Sequence, residues 1–131
     1  MTNVDISSYK NLFVESAREF IYLMKKNLQI LNIDQQKKEA VYEMFRGAHS
    51  LKSQSYAMDY MKTAEFCTVL EDYFHEINDK KRLYSNNLNN VILDAISNIE
   101  QSVNQINQNN IELDLSENTD KLKKILTEVN N

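Results

Sequence analysis

Apolar residues recur at spacings of three and four along almost the whole chain. From Tyr9 to Leu31 they fall at Phe13, Ala17, Phe20, Met24, Leu28 and Leu31, with Glu15, Arg18, Glu19 and Lys26 between them. That spacing predicts a helix with one buried stripe. Asn32-Ile33-Asp34 reads as a turn, and Asp34 is placed to N-cap a second helix from about Gln35. In it Val41, Met44, Ala48, Leu51, Ser55 and Met58 form a seam that faces other helices. Asp59 can cap the next helix or take a left-handed turn conformation, which its short side chain tolerates. A third helix is expected from about Tyr60 to Ile77, with Met61, Ala64, Cys67, Leu70, Glu71, Phe74 and Ile77 on its stripe. Glu71 is a carboxylate at the edge of an apolar seam.

Asn78 to Asn87, including Lys80, Lys81 and Arg82, reads as a solvated connection. A fourth helix begins near Asn87 and buries Leu88, Ile92, Ala95, Ile99, Val103 and Ile106; after a break at Gln108 to Asp114 a shorter helix from about Glu117 carries Leu122, Ile125, Leu126 and Val129. No internal repeat is visible. Long amphipathic helices joined by short turns predict an all-α fold, an antiparallel up-and-down four-helix bundle over about residues 9–108 with an accessory C-terminal helix over about 117–130. Composition agrees: with one Gly and no Pro, the usual punctuation of β-hairpins is missing. Asn takes over turns and caps.

A chain of 131 residues is expected to form a single domain with a core of its own. A net charge of −4 argues against nucleic acid as a partner, because phosphate binding needs a concentrated basic face. The single cysteine, Cys67, cannot form an internal disulfide, and no Cys/His cluster predicts a metal site. Neither a signal-peptide pattern nor a run of about eighteen apolar residues is present. The expectation is a cytoplasmic protein without a membrane partner. Cys67 and Met61 read as core residues rather than reactive groups. The one glycine, Gly47, stands mid-helix, where it costs about 1 kcal/mol relative to Ala; it would admit a neighbouring helix or a docking partner.

The remaining chemistry gathers in "FRGAHSLKSQSYAM", Phe45 to Met58. On an ideal helix His49 lies beside Ala48 on the shoulder of the buried seam, with its ring partly exposed. Lys52 and Ser53, one turn on, share its face, and Phe45, one turn back, lies behind it. A neutral imidazole with a free ring nitrogen is a nucleophile at neutral pH. Once phosphorylated it carries roughly one and a half to two negative charges, which an ammonium such as Lys52 can stabilise. A carboxylate on one ring nitrogen would fix the tautomer and leave the other free, and an antiparallel third helix could bring Glu71 back to do this. Glu71 could equally just pair with Lys52. His75, one turn after Glu71, lacks a comparable lysine and reads as surface or flank.

The segment "HSLKSQSYAMDYMKTAEFCTVLE", His49 to Glu71, resembles the histidine phosphotransfer domain family, whose signature is H-x-L-K-G on the second helix of a four-helix bundle. It is most similar to the N-terminal phosphotransfer domain of CheA-type chemotaxis kinases. The opening "LFVESAREFIYLMKKNLQIL" is similar to that family's first helix. The resemblance implies that His49 is phosphorylated, that Lys52 supports the phosphoryl group and that Glu71 hydrogen-bonds the histidine. It further implies a separate histidine kinase catalytic domain that holds ATP and Mg, so that this domain binds no cofactor itself. Response regulators of the CheY and CheB type would take the phosphoryl group onto an aspartate.

Ser53 stands where the family usually has a glycine that lets a partner approach, and Asp59 where a turn glycine is common. Phe45 and Ser53 are therefore the expected docking surface. The chain has no glycine-rich phosphate loop, so ATP-dependent activity is not expected of it alone. Absence of a kinase core makes an excised N-terminal domain the expected origin. Two alternatives stay open from sequence: a free-standing phosphorelay protein, and a non-catalytic helical docking bundle in which His49 is incidental.

Overall fold

The computed structural model describes residues 3–128, with side chains from residue 7. Five α-helices follow one another: α1 (Asn3–Ile33), α2 (Lys38–Ala57), α3 (Met61–Asn78), α4 (Asn89–Asn109) and α5 (Ser116–Glu128), with a single 3-10 turn, Asn86–Leu88, leading into α4. No strand occurs among the described residues. Cross-helix pairs show the directions. Along α1 the partners of Lys10, Arg18 and Lys25 are Asn110, Asn104 and Glu100, so α4 runs antiparallel to α1. Phe13 meets Tyr60 while Met24 faces Gly47, so α2 is antiparallel to α1 too. The result is an up-and-down four-helix bundle, with α5 packed on α3.

Periodicity explains the core. Phe13, Ala17, Met24, Leu28 and Leu31 of α1, Val41, Met44, Ala48 and Leu51 of α2, Ala64, Cys67, Leu70 and Phe74 of α3, and Ile92, Ala95, Ile99, Val103 and Ile106 of α4 are all buried. Each fully buried large side chain contributes about 1.5–3 kcal/mol relative to exposure. Some positions differ from the pattern. Phe20 is only partly buried, and Val14 and Ile21 take its place in the core. Met61, expected in the core, is 42% exposed, because as the first residue of α3 it stands at the edge of the bundle. Ile125 is exposed, and Val129 lies outside the described residues.

The helix ends correct two further expectations. Asp34 does not cap α2. Its amide still bonds Ile30, closing α1, and its carboxylate accepts from the Gln36 amide within the turn; α2 starts at Lys38 behind Lys37, which makes no side-chain cap. Asp59 takes the left-handed option at φ 64°. Around it the Tyr60 amide donates to Ser55 and the Asp59 amide to Tyr56, the paired bonds of a Schellman motif. Lys80, also at φ 64°, ends α3 the same way, with Lys81 donating to Glu76 and Lys80 to Ile77.

The connection after α3 is not simply solvated. Lys80 and Lys81 are exposed, but the Arg82 side chain is only 11% exposed. Its guanidinium lies 4.7 Å from the Tyr73 ring centre and donates to the Leu126 carbonyl near the end of α5 at 3.0 Å. Tyr84 turns back into the core, stacked on Phe74 with its hydroxyl on Asn89. Phe66 and Tyr73 are buried on a second apolar face of α3, outside the predicted stripe, and Leu115, Leu122 and Leu126 are the buried residues of α5 and the segment leading into it. Cys67 is fully buried, and burial pushes its thiol up to about 12, which keeps it protonated and inert at neutral pH.

Glu112, in the connection before α5, caps a helix far from it in sequence. Its carboxylate accepts from the Lys62 and Thr63 amides at the start of α3, at 3.2 and 2.7 Å, and from the Thr63 hydroxyl at 2.7 Å. Ser102 joins Thr63 at 2.8 Å and accepts from the Leu113 amide, which ties α4 and the connection to the same point. Free amides at a helix start favour an anionic acceptor. Glu112→Ala is expected to lower stability by about 1–2 kcal/mol, as loss of an N-cap does; a urea midpoint within error of wild type would show that water replaces the cap.

Gly47 has a packing reason. A β-carbon there would stand 2.7 Å from Cγ and 3.0 Å from Sδ of Met24, whose side chain is fully buried. Gly47→Ala gains about 1 kcal/mol of helix propensity but overpacks the α1–α2 contact at about 1–3 kcal/mol. A net loss of about 1 kcal/mol in chemical denaturation is expected, whereas stabilisation would mean that the two helices can part.

Candidate functional site

His49 projects from the middle of α2 and Glu71 from the middle of α3, and the antiparallel pairing of these helices brings them together. Nδ1 of His49 is hydrogen-bonded to Oε2 of Glu71. The other oxygen, Oε1, accepts from Nζ of Lys52 at 2.6 Å. One carboxylate thus bridges the imidazole and the ammonium. Exposure is graded across the three: the side chains of His49, Lys52 and Glu71 are 53%, 24% and 10% exposed.

Burial pushes the Glu71 carboxyl up, but the hydrogen bonds and charges of Lys52 and His49 outweigh it and hold the group below the ordinary carboxylate range. An ionised Glu71 accepts the Nδ1 proton, which selects the tautomer with Nε2 unprotonated. That nitrogen lies on the half of the ring turned away from the carboxylate. The arrangement can therefore offer a fixed, neutral nucleophile at the surface.

All three sequence-predicted site residues converge. The Lys52 ammonium is paired with Glu71, the contact that the sequence left open, and the same carboxylate also bonds His49. Phe45 is half-buried, with its ring centre 6.1 Å from that of His49. Ser53 is exposed one turn on. His75, expected at the surface or flank of the site, is exposed and approaches Phe45 at 5.4 Å between ring centres. Among the described residues no group of three or more His, Cys, Asp or Glu side chains converges as a metal site would require, and no helix is long and apolar enough to cross a membrane.

A surface histidine bonded to a carboxylate that also takes a lysine, between two helices of a bundle, defines a class. Residues 8–129 match the family model of the Hpt domain, and the chain belongs to that family. Over most of its length it is similar to chemotaxis protein CheA: 29% identical over 116 residues to that of Borreliella burgdorferi, which is 88% of this chain and 13% of that protein. With the CheA of Bacillus subtilis it shares 25% identity over 103 residues, 79% of this chain and 15% of that protein. The chain spans well under a fifth of the curated relatives it matches.

Two solved structures share the fold. The phosphorylated P1 domain of CheA3, in complex with CheY6 from R. sphaeroides, superposes with a TM-score of 0.84 at 14% identity, covering 92% of this chain and 97% of that one. A solution structure of the histidine phosphotransfer domain of CheA gives 0.84 at 22% identity, covering 95% and 92%.

Proposed function

We propose that this chain is the phosphotransfer module of a CheA-type chemotaxis kinase and that His49 carries the phosphoryl group. The observation that carries this reading is the bond from Nδ1 of His49 to Glu71, which leaves Nε2 as the free nitrogen of a half-exposed ring. A separate histidine kinase domain presents ATP, and ATP and Mg belong to partner domains. Nε2 attacks the γ-phosphorus; a P–N bond forms, the bond to the bridging oxygen breaks and ADP leaves. The ring becomes cationic, and Glu71 stabilises that charge through the Nδ1 proton. Lys52, held beside the ring by the shared carboxylate, offsets the charge of the phosphoryl oxygens.

In the second step a carboxylate oxygen of an aspartate, on a response regulator of the CheY or CheB type, attacks phosphorus. The P–N bond breaks and its electron pair returns to Nε2, which regenerates the neutral ring. Similarity to CheA proteins of several bacteria supports the chemotaxis setting. The test is incubation with a cognate kinase domain and γ-labelled ATP. Label that is acid-labile and alkali-stable is the expected result, and its absence with competent kinases would overturn the proposal.

A further inference from the structure

At one end of the bundle a cavity of about 300 Å³ opens where the turn between α1 and α2, the last turn of α3 and the connection after it meet. Its inner wall is apolar. Val41, Ile77 and Tyr84 line it and are buried, while Leu83, 75% exposed, stands at its lip. Small-molecule sites are concave and mostly apolar, with a few polar groups that fix orientation, and they begin at about this size.

The charge that lines it has one sign. Lys38 at the start of α2 and Lys80 after α3 both line the cavity, both are exposed, and neither is in an ion pair among the described residues. No carboxylate lines it. Of the acidic side chains close by in the chain, Glu76 bonds Arg82 at 3.2 Å, Asp79 pairs with His75 at 2.9 Å and Asp34 accepts from the Gln36 amide. Glu39 stays outside the lining, on the first turn of α2. Arg82 lines the cavity as well, but its guanidinium is turned to the Tyr73 ring and the Leu126 carbonyl. Two ammonium groups from different elements thus border one apolar hollow.

A concave apolar wall gains by being covered, and unpaired ammonium groups at its mouth favour an occupant with negative charge. We propose that this cavity binds a small amphiphilic carboxylate. Its aromatic or branched body lies against Val41, Ile77 and Tyr84, and its carboxylate is within reach of Lys38 and Lys80. A cation with the same body meets two like charges and is rejected. Such a ligand joins the ends of α2 and α3, the helices that carry His49 and Glu71, yet neither of those residues lines the cavity. Binding here is therefore separate from phosphoryl chemistry at His49 and does not depend on it.

The test titrates the full chain with 4-phenylbutyrate and follows the backbone amide signals by NMR. Saturable shifts at Val41, Ile77 and Tyr84 with a Kd of about 0.1–1 mM are expected for a ligand of this size. The amine with the same body, 4-phenylbutylamine, and butyrate, which lacks the ring, should each bind at least about tenfold more weakly. Lys38→Gln and Lys80→Gln should each raise the Kd about threefold, as loss of an exposed charge partner does. Lys26→Gln, a control on an exposed lysine of α1, should leave it unchanged. No saturable shift at this end, equal binding of the amine, or an unchanged Kd in both lysine variants overturns the inference. Shifts centred on His49 overturn it too, and signals here that move with protein concentration alone would give the cavity to a second copy of the chain instead.

Discussion

Phosphoryl incorporation from labelled ATP and a cognate kinase domain is expected to fall to background in His49→Gln. Glutamine keeps a polar side chain of similar reach, yet its amide has no lone pair able to attack phosphorus. The fold should survive. His49 is half exposed, and its contacts are the hydrogen bond to Glu71 and the face of Phe45; losing one such hydrogen bond costs about 1 kcal/mol. Circular dichroism and a urea titration separate the two effects. Label retained by a folded His49→Gln protein would place the acceptor elsewhere and remove the chemical role assigned to the α2–α3 site.

Glu71→Ala is expected to slow phosphoryl uptake about 10- to 100-fold, the range seen when a group that orients a reactive ring is removed. It should also destabilise the protein by about 1–3 kcal/mol, because Lys52 loses its partner at a site only a quarter exposed to water. Glu71→Gln keeps the shape and tests the charge. A glutamine oxygen can accept from only one of the two donors as well as a carboxylate does, so the tautomer is held less firmly. Single-turnover rates at saturating kinase distinguish these effects from docking. Wild-type rates in both variants would reduce Glu71 to a scaffold residue.

Glu71 also gives stability a dependence on pH. Its carboxyl titrates below its ordinary value of 4.5 in the folded protein, so the unfolded chain binds a proton more readily. The contribution is therefore complete above that ordinary value and is lost as pH falls through the lower, folded one. Urea midpoints from pH 7 down to about pH 3 should fall more steeply for wild type than for Glu71→Gln. Parallel curves would mean that the carboxylate gains nothing from Lys52 and His49 on folding.

Helix count and order were legible in the sequence because each helix buries a stripe, and a stripe leaves a period that needs no partner to be read. Turn chemistry was half legible. Asp59 and Asn110 adopt the left-handed conformations their side chains favour, but Lys80 does so with no such preference, and Asp34 spends its carboxylate inside the turn instead of on α2. The second apolar face of α3 was missed because Phe66 and Tyr73 fall out of phase with the bundle seam; they make sense only with α5 packed on α3. Arg82 was misread for the same reason, since a basic run looks solvated until the Tyr73 ring and the Leu126 carbonyl are placed against it.

By itself the sequence determined the all-α bundle and singled out the histidine proposed as its nucleophile. Amphipathic spacing is a local property, and a histidine followed by lysine one turn later shares its face whatever the rest of the chain does. Only the tertiary structure decided how that histidine is held. The bridge from Glu71 to both His49 and Lys52 spans two helices and depends on their register, as does the capping of α3 by Glu112 from 49 residues away. Such contacts join positions with no periodic relation to one another, so they exist only once the helices have packed.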